Sequence, residues 1–507
     1  MVTTAELAHD KPRFGLLPVA ALVALVFFVK FAVYACMVTP LWDVPDESGH
    51  YSYVNDITKG ELPLLGKARI DEEVEHSWIN PGTKPQGNWI AQHPPLFYVL
   101  DAPVVLAARA MGLDFEHQVR AARLPSALFG GLTVLGLILF LASATGRYEL
   151  GLAGGIFLGS TPMFMHLSSG VSHDTLVACT ATWAMYWIVR WLDSKRFVHV
   201  LYAGILIAAC TVTKITGLAM AVPLFFALCW QLWRTQPRTG LPLSHAVLRW
   251  TGRSAALWLV TFTPVCIWIA RNLVHFHQMF PDVSDLHPAK VVPIGFFQFM
   301  TQLPVWENVL LNFIALVGWN GSGDGALRWI QANGILARYF LAFFSIGSLA
   351  AIFTPALSRH APPIRHAFIA VVFSGVAFVY LRWPELYLAR WTCLLLLAAL
   401  VATLATHARA FWRSDGAGWL LAAGAASIVF FLLMYYETLR GGFGGSLRAT
   451  HGRYLYPVMP FLLLTLLWPL RDRLASRLIL CVSVFGMLIA DGFFLRQVFS
   501  LYGQLPT

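Results

Sequence analysis

Apolar runs of about 20 residues recur along the whole chain and are separated by short polar segments. At about 1.5 Å of rise per helical residue, a run of this length crosses a hydrocarbon core roughly 30 Å thick. The pattern predicts thirteen membrane-spanning helices, at 14–38, 122–145, 150–167, 175–192, two between 197 and 232 that turn near Lys214, 254–272, 334–354, 366–382, 387–407, 417–436, 456–470 and 477–497. The predicted fold class is an all-α polytopic membrane protein.

Two polar segments, 39–120 and 273–333, are much longer than the others and predict large loops. The short segments between the predicted helices carry arginine and lysine, which favour the cytoplasmic side. This orientation puts both large loops on the extracytoplasmic face. The chain is then a single membrane domain, 1–507, in which a module 1–272 contains the first loop and residues 334–507 form the C-terminal helices.

The segment HPPLFYVLDAPVVLAARAMG, 93–112, is apolar enough to be a fourteenth span. Counting it as one would move four basic residues to the outer face: Lys195, Arg196, Arg234 and Arg238. Each basic residue near the anionic cytoplasmic leaflet gains about 1 kcal/mol. We therefore expect 93–112 to be an interfacial helix within the first large loop.

Composition agrees with this pattern, because 57% of the residues are hydrophobic and only 12% are charged. The net charge of +10 lies mostly in the short loops, so it indicates orientation in a membrane and not binding to nucleic acid. The first apolar run is too long for a cleavable signal peptide, and no Ala-x-Ala site follows it. The seven cysteines have no Cys-x-x-Cys spacing, and we expect them to be core residues.

The stretch TPLWDVPDESGHY, 39–51, follows the first predicted helix and contains three acids and a histidine. If a helix begins near Pro45 with Asp43 as its N-cap, Asp46 and His50 share one face, while Glu47 points about 100° away. The alternative is that the acids only complement the helix dipole, which is worth about 0.3–1 kcal/mol each. One acid would suffice for that, so the cluster favours a catalytic site.

Two further polar residues interrupt the apolar pattern. Asp174, in VSHDTL, lies on the same face of the membrane as Asp46, although it is also a candidate N-cap for the helix that follows. Lys214, in TVTKITGL, costs about 2.5–3.5 kcal/mol at mid-membrane unless it turns at the surface or meets an anion. The alternative for Lys214 is snorkelling to the lipid headgroups.

A glycine-rich segment, GGFGGSLRATHGRYLYP at 441–457, closes with two arginines, a histidine and a tyrosine. Glycine lets backbone N–H groups approach a phosphate, and arginine offers a bidentate fork to the same oxygens. The alternative is that these arginines bind lipid headgroups. The cations predicted to bind a phosphate are Lys214, Arg448, Arg453 and, more weakly, Arg271.

The motifs VPDESGHY, HPPLFYVL, RLPSALFGGLTVLGLILF, VSHDTL, TKITGL and HGRYLYP resemble, in this order, the GT-C superfamily of membrane glycosyltransferases. Its members include protein O-mannosyltransferases and lipid A aminoarabinose transferases. HGRYLYP in particular is similar to a bacterial multispan family of unassigned activity within that superfamily. The resemblance implies a GT-C-like fold in a bacterial inner membrane, with the active site on the extracytoplasmic face.

The resemblance also implies the reaction, an inverting transfer of sugar from a polyprenyl-phosphate donor to a glycan, glycolipid or protein. Asp46 would be the general base and Glu47 a second acid that positions the acceptor or a metal. Asp174 with His173 would hold a divalent cation, Mg²⁺ or Mn²⁺, although other members show a different residue beside this acid. The residues expected to contact substrate are His50, His93, His451 and Tyr454.

Two other functions stay open at this stage. An O-antigen ligase or polymerase also has many spans and a large outer loop, and His275, His277 and His287 in 273–333 are compatible with one. A lipid-linked sugar flippase is the non-enzymatic alternative. Transporters often contain repeated halves that meet at the midplane, and no such repeat is visible in this sequence.

Overall fold

A computed structural model describes most of the chain. The described ranges are 16–78, 87–239, 243–281, 291–293, 295–317, 330–357, 362–407, 416–439, 441–443 and 451–502. Twenty α-helices lie within these ranges, and they account for nearly all of the regular structure.

The helices of the N-terminal half are α1 (Leu16–Val33), α2 (Glu47–Thr58), α3 (Glu72–His76), α4 (Leu96–Ala110), α5 (Phe115–Ala122), α6 (Leu124–Thr145), α7 (Tyr148–Ser160), α8 (Pro162–Ser168), α9 (His173–Ser194), α10 (Phe197–Thr211), α11 (Ala221–Thr239) and α12 (Leu243–Phe276). A π-helical turn, Tyr34–Val38, extends α1, and 3₁₀ segments occupy Trp89–Gln92 and Ile215–Met220.

The C-terminal half contains α13 (Phe296–Thr301), α14 (Leu303–Ile314), α15 (Gly334–Leu357), α16 (Pro362–Arg382), α17 (Glu385–His407), α18 (Gly416–Leu439), α19 (Met459–Leu467) and α20 (Arg473–Tyr502). Two 3₁₀ segments, Gly452–Val458 and Trp468–Leu470, flank α19. Four short strands form two antiparallel pairs: β1 (Val291–Pro293) with β4 (Gly441–Phe443), and β2 (Leu316–Val317) with β3 (Ile330–Gln331).

The predicted fold class, a helical polytopic membrane protein, is confirmed. Within the described residues, seven helical stretches are long and apolar enough to cross a membrane, and α7 with α8, bent by 69°, adds an eighth if the pair is one span. Four further apolar stretches are shorter: Phe197–Thr211, Ile215–Gln231, Ala370–Tyr380 and Leu420–Tyr436. The predicted count of thirteen is therefore not confirmed.

The first large loop is a folded layer with an apolar core of its own. Its buried aromatic side chains include Trp42, Tyr51, Tyr53, Phe97 and Tyr98. The rings of Tyr53 on α2 and Tyr98 on α4 stack at 3.8 Å between centroids, so these two helices are held together face to face. This layer also packs on the first turns of α6 and α9 through Phe129 and Leu176.

Helix α4 occupies most of the ambiguous segment 93–112. It has only 15 residues, contains Pro103 and is not among the candidate spans of the described chain. Its N-terminus is tied to the end of α10, because Leu96 N donates to Val212 O at 3.2 Å. The interfacial position of this helix stays a prediction.

The second large loop, 273–333, contains more helix than its sequence predicted. Helix α12 continues to Phe276, and α13 and α14 follow within the loop. Strand β1 pairs with β4, which begins the glycine-rich segment, so that Val291 lies opposite Phe443. This strand pair therefore joins the second large loop to the glycine-rich segment 441–457.

Candidate functional site

The acidic stretch after α1 folds differently from its predicted capping arrangement. Helix α2 begins at Glu47 with Asp46 as its N-cap, so the prediction of Asp43 as the cap was wrong. Asp43 is fully buried instead, and its carbonyl oxygen lies 3.1 Å from His166 Nε2. The helix therefore starts two residues after Pro45, the position at which the sequence predicted it.

Asp46 has an unusual backbone conformation. Its φ of 65° is in the left-handed region, which costs a residue with a Cβ about 1 kcal/mol or more. Its side chain forms no capping hydrogen bond to α2, although its carbonyl oxygen accepts from His50 N at 3.0 Å. The carboxylate therefore points away from the helix and toward neighbouring elements.

Glu47, the next residue, is held by Arg123 at the junction of α5 and α6. Arg123 donates to both carboxylate oxygens, Nε to Oε1 at 2.7 Å and Nη2 to Oε2 at 2.9 Å. The backbone N–H groups of Trp42 and Val171 donate to the same carboxylate at 2.9 and 3.0 Å. Both charged side chains are 0% exposed. Glu47 thus ties three chain segments together beside Asp46.

Arg123 has further partners that explain its complete burial. It donates to the carbonyl oxygens of Ala35 at 2.9 Å, Thr39 at 2.6 Å and Pro40 at 2.7 Å. A buried guanidinium is tolerated when its N–H groups are satisfied in this way. The sequence did not reveal Arg123 as a site residue. It is the first residue of the motif RLPSALFGGLTVLGLILF, and nothing in its local pattern distinguishes it from an ordinary loop arginine.

The Asp46 carboxylate forms an ion pair with Arg453. Arg453 Nη2 donates to Asp46 Oδ2, Arg453 Nη1 donates to Pro45 O at 3.2 Å, and Trp89 Nε1 donates to Asp46 Oδ1 at 3.0 Å. Burial alone would raise the pKa of Asp46, but the charge of Arg453 and its hydrogen bond lower it to about 2. Asp46 is therefore an ionised carboxylate with its proton-accepting oxygens engaged.

Arg453 is positioned by a close approach of backbone segments. A Cβ on Gly452 would lie 2.1 Å from Val309 O and 2.2 Å from Phe313 N, so only glycine fits against α14 here. The 3₁₀ segment that begins at this glycine carries Arg453 inward, where it is buried.

Asp174 is the second carboxylate of the site. Ser172 caps α9 by accepting from Asp174 N at 3.4 Å, so the side chain of Asp174 is not used as a cap. Lys214 Nζ donates to Asp174 Oδ1 at 2.7 Å, and Arg453 Nε lies 3.6 Å from Asp174 Oδ2. Lys214 thus pairs with an acid and does not extend to the membrane surface as a snorkelling side chain would.

Tyr454 lies between the two cations. Lys214 Nζ is 4.0 Å from the centroid of its ring, and the guanidinium carbon of Arg453 is 5.1 Å from the same centroid. Arg453 Nη2 also donates to Tyr454 Oη at 3.3 Å. Both cations are therefore within reach of the negative π-face of this ring, which attracts them.

A cluster of histidines and one tyrosine adjoins the carboxylates. His50 Nδ1 lies 2.9 Å from Tyr98 Oη, and Tyr98 Oη lies 3.1 Å from His173 Nδ1. His173 Nε2 is 3.3 Å from Asp174 Oδ1, and the ring of His93 is 4.6 Å from that of His173. Burial, reinforced by His173, holds the pKa of His50 well below its usual value, so this ring is neutral.

Tyr98 was missed as a site residue by sequence analysis. It lies in the motif HPPLFYVL, within the continuous apolar run LFYVL, which makes it look like a core side chain. It is also core, because its ring stacks on Tyr53 while its hydroxyl reaches the histidines.

The remaining predicted residues have separate outcomes. His451 is buried, its ring centroid is 6.0 Å from that of Tyr454, and burial lowers its pKa to about 3. Arg271 donates to Pro63 O at 2.8 Å and covers the ring of Trp268, and none of its observed contacts is with the carboxylates. Arg448 and His287 lie outside the described residues, and His275 and His277 are exposed.

The surroundings of Asp174 do not fit the predicted divalent cation. Its oxygens already face Lys214 and Arg453, and a metal ion would have to displace both positive charges. Among the residues that the structure describes, no group of three or more metal-binding side chains could hold an ion. The prediction of Mg²⁺ or Mn²⁺ at Asp174 and His173 is therefore not confirmed, and no chemical step is assigned to a metal.

An apolar groove opens near the cations. Its volume is about 930 Å³, and it lies between the 3₁₀ segment after Lys214 and helices α11, α12, α17 and α18. Its walls are apolar side chains, among them Leu218, Phe225, Phe226, Trp258, Phe262 and Phe430. Leu218 belongs to the 3₁₀ segment whose N-cap is Lys214, so one wall of the groove continues directly from this cation.

A family model described as dolichyl-phosphate-mannose-protein mannosyltransferase matches residues 101–268, about a third of the chain. The matched segment contains Arg123, Asp174 and Lys214. The match agrees with the resemblance to GT-C glycosyltransferases that the sequence motifs suggested. No curated protein matches the chain in sequence.

Several solved structures are similar at a distance. The protein O-mannosyltransferase Pmt1-Pmt2 complex of S. cerevisiae, bound to its sugar donor, is 18% identical over 55% of this chain and 36% of its own, with a TM-score of 0.38. ArnT from Cupriavidus metallidurans, bound to undecaprenyl phosphate, is 14% identical over 93% and 78%, with a TM-score of 0.33. The Archaeoglobus fulgidus oligosaccharyltransferase, with Zn and sulfate, is 15% identical over 95% and 52%, with a TM-score of 0.43. The chain thus spans little more than a third of the yeast chain and about half of the archaeal one.

Proposed function

We propose that the protein is an inverting membrane glycosyltransferase that moves a sugar from a polyprenyl-phosphate donor to a glycan, glycolipid or protein. The observation that carries the proposal is a pair of carboxylates and a pair of cations in contact, next to an apolar groove. The family match to mannosyltransferases that use a lipid-phosphate sugar supports the same class of reaction. The site is expected on the extracytoplasmic face of a bacterial inner membrane.

The two halves of such a donor need different surroundings, and both are present. An isoprenoid tail gains about 25 cal/mol for each Å² of apolar surface that leaves water, and the groove between α11, α12 and α18 offers that surface. A phosphate needs positive donors, and Lys214 starts the 3₁₀ segment that contributes Leu218 to the groove, while Arg453 faces the same carboxylate, Asp174, as Lys214 does. The sugar would then lie toward Asp46, which is the more exposed of the two carboxylates.

Asp46 is the proposed general base. An ordinary carboxylate cannot ionise an alcohol in advance, but it can accept the proton as the new C–O bond forms. Such assistance is worth about 10²–10⁴-fold in rate. Attack from the face opposite the phosphate inverts the anomeric carbon, and the cations stabilise the negative charge that develops on the leaving phosphate.

Glu47 is proposed to position Asp46 and not to exchange protons. Its carboxylate accepts four hydrogen bonds, two from Arg123 and two from backbone N–H groups. Since those bonds leave little room for a substrate, its catalytic role stays a prediction that this geometry does not favour.

The donor-binding part of the proposal is tested by replacing each cation. Lys214→Gln and Arg453→Gln should each weaken binding of a polyprenyl-phosphate sugar by about 1.5–3 kcal/mol, the range for hydrogen bonds to charged groups. Arg109→Gln is the matched control, because the hydrogen bonds of Arg109 to Thr58, Asn55 and Gln118 lie within the first large loop and not at the carboxylates. Isothermal titration in nanodiscs measures the affinity, and unchanged binding in both variants would remove the cations from the donor site.

A flippase or a ligase would give a different outcome in the same system. A flippase moves the lipid-linked sugar across the bilayer without releasing polyprenyl phosphate. A ligase that takes a different lipid-linked donor would leave a polyprenyl-monophosphate sugar unconsumed. Release of polyprenyl phosphate from a monophosphate donor supports the proposed transferase.

A further inference from the structure

The four charged groups of the site already neutralise one another. Asp46 is paired with Arg453, Asp174 is paired with Lys214, and Arg453 Nε also faces Asp174 at 3.6 Å. His50 and His451 are the titratable neighbours of Asp46, and His173 is that of Asp174. Because two carboxylates are paired with two cations, these four groups together carry no net charge.

This pairing opposes both tasks of the proposed enzyme. A cation that is paired with a carboxylate can bind a phosphate only if that ion pair is weakened. The apparent affinity for the donor is therefore reduced in proportion to the small fraction of the protein in which the cation is free. A carboxylate that is held by a guanidinium is also a poor base, because basicity falls as its pKa falls. The resting arrangement is therefore suited neither to donor binding nor to proton transfer.

We propose that the donor phosphate exchanges ion-pair partners with the two carboxylates, taking Arg453 and Lys214 and so freeing Asp46 to act as the base only when a donor is bound. This inference rests on the proposed function. The arrangement permits it, because Asp46 and Lys214 are the most exposed members of the cluster, with 19% and 11% of their side chains accessible. A phosphate can approach from that side without unfolding a segment.

The charges balance through the reaction. The acceptor O–H bond breaks and its proton moves to Asp46, while the acceptor oxygen forms a bond to the anomeric carbon. The bond between that carbon and the phosphate oxygen breaks, and its electron pair stays on the phosphate, which gains one negative charge. Asp46 loses its charge in the same step, while Arg453 and Lys214, already paired with the phosphate since the donor bound, neutralise the charge that the phosphate gains.

The exchange predicts that removal of a site carboxylate strengthens the binding of undecaprenyl phosphate. Asp46→Asn and Asp174→Asn should each bind undecaprenyl phosphate more tightly than the wild type, by about fivefold or more, because a competing carboxylate is gone. A simple contact role would instead leave the affinity unchanged or reduce it. Asp71→Asn is the matched control, since Asp71 pairs with Lys59 and Asn55 in the outer layer, and it should bind like the wild type.

The binding measurement uses full-length protein in nanodiscs and undecaprenyl phosphate without a sugar. Equal or weaker binding by the folded carboxylate variants overturns the exchange while leaving the proposed function intact. If wild-type protein does not bind undecaprenyl phosphate at all, the donor class is wrong and both proposals fall. Asp174 pairs with Lys214 independently of Asp46, so either variant alone decides the question if the other does not fold.

Discussion

Two neighbouring acids of the site, Asp46 and Glu47, have opposite surroundings. Asp46 is partly exposed and holds one cation at the edge of the site. Glu47 is inaccessible and is enclosed by a guanidinium and two backbone donors. Because Asp46 is the left-handed residue just before α2 and Glu47 is the first residue of the helix, the two carboxylates face different neighbours. The same substitution at the two positions should therefore have different consequences.

Replacing Glu47 or Arg123 should destabilise the folded protein. Glu47→Gln or Arg123→Gln leaves the other charge buried without its partner, which costs about 3–5 kcal/mol. Glu116→Gln is the control, because Glu116 forms a half-exposed pair with Arg120, and exposed pairs are worth about 1 kcal/mol or less. Thermal unfolding in detergent measures the difference, and equal midpoints for Glu47→Gln and Glu116→Gln would contradict the structural role of Glu47.

At the level of helices, a charged pair joins the first and last spans. Lys30 on α1 and Asp491 on α20 form an ion pair within candidate membrane-spanning stretches. The rings of Tyr34 and Phe494 stack at 5.1 Å beside it, so a charge and an aromatic contact occur together. Ionised side chains at this depth are stable only when they are paired.

We expect single substitutions in this pair to be worse than the double one. Lys30→Leu or Asp491→Leu leaves one charge in the hydrocarbon, at a cost of about 2.5–3.5 kcal/mol, whereas the double Leu variant leaves none. Thermal unfolding of the wild type and the three purified variants gives the coupling free energy between Lys30 and Asp491. Additive losses in the double variant would mean that Lys30 and Asp491 do not act as a pair.

The helices themselves were predictable from the sequence because apolar runs of sufficient length have few other options in a membrane. The residues at which the helices begin and end were less predictable. Helix α2 begins two residues later than its Pro45 signal predicted, and α12 extends past its predicted end at 272 to Phe276. Boundaries of this kind depend on tertiary contacts such as that of Glu47 with Arg123, which no local pattern reveals.

At the scale of the whole molecule, the site is assembled from segments that are far apart in sequence. Asp46 follows α1, Asp174 begins α9, Lys214 follows α10 and Arg453 precedes α19. The sequence singled out Asp46 in an acidic cluster after an apolar run and Arg453 at the end of a glycine-rich segment. It singled out Asp174 and Lys214 as polar residues beside or within apolar stretches. It could not say that Arg453 would bind Asp46 rather than a lipid headgroup, because that choice depends on how the helices pack.

The central claim is that Asp46 accepts the proton of the acceptor, and Asp46→Asn tests it most directly. The amide keeps the size of the side chain and much of its hydrogen bonding but cannot take up a proton. In proteoliposomes supplied with a polyprenyl-phosphate sugar and an acceptor, the folded variant should still bind donor while sugar transfer falls by at least about 10²-fold. Transfer by the folded Asp46→Asn protein at a rate close to that of the wild type would contradict the account.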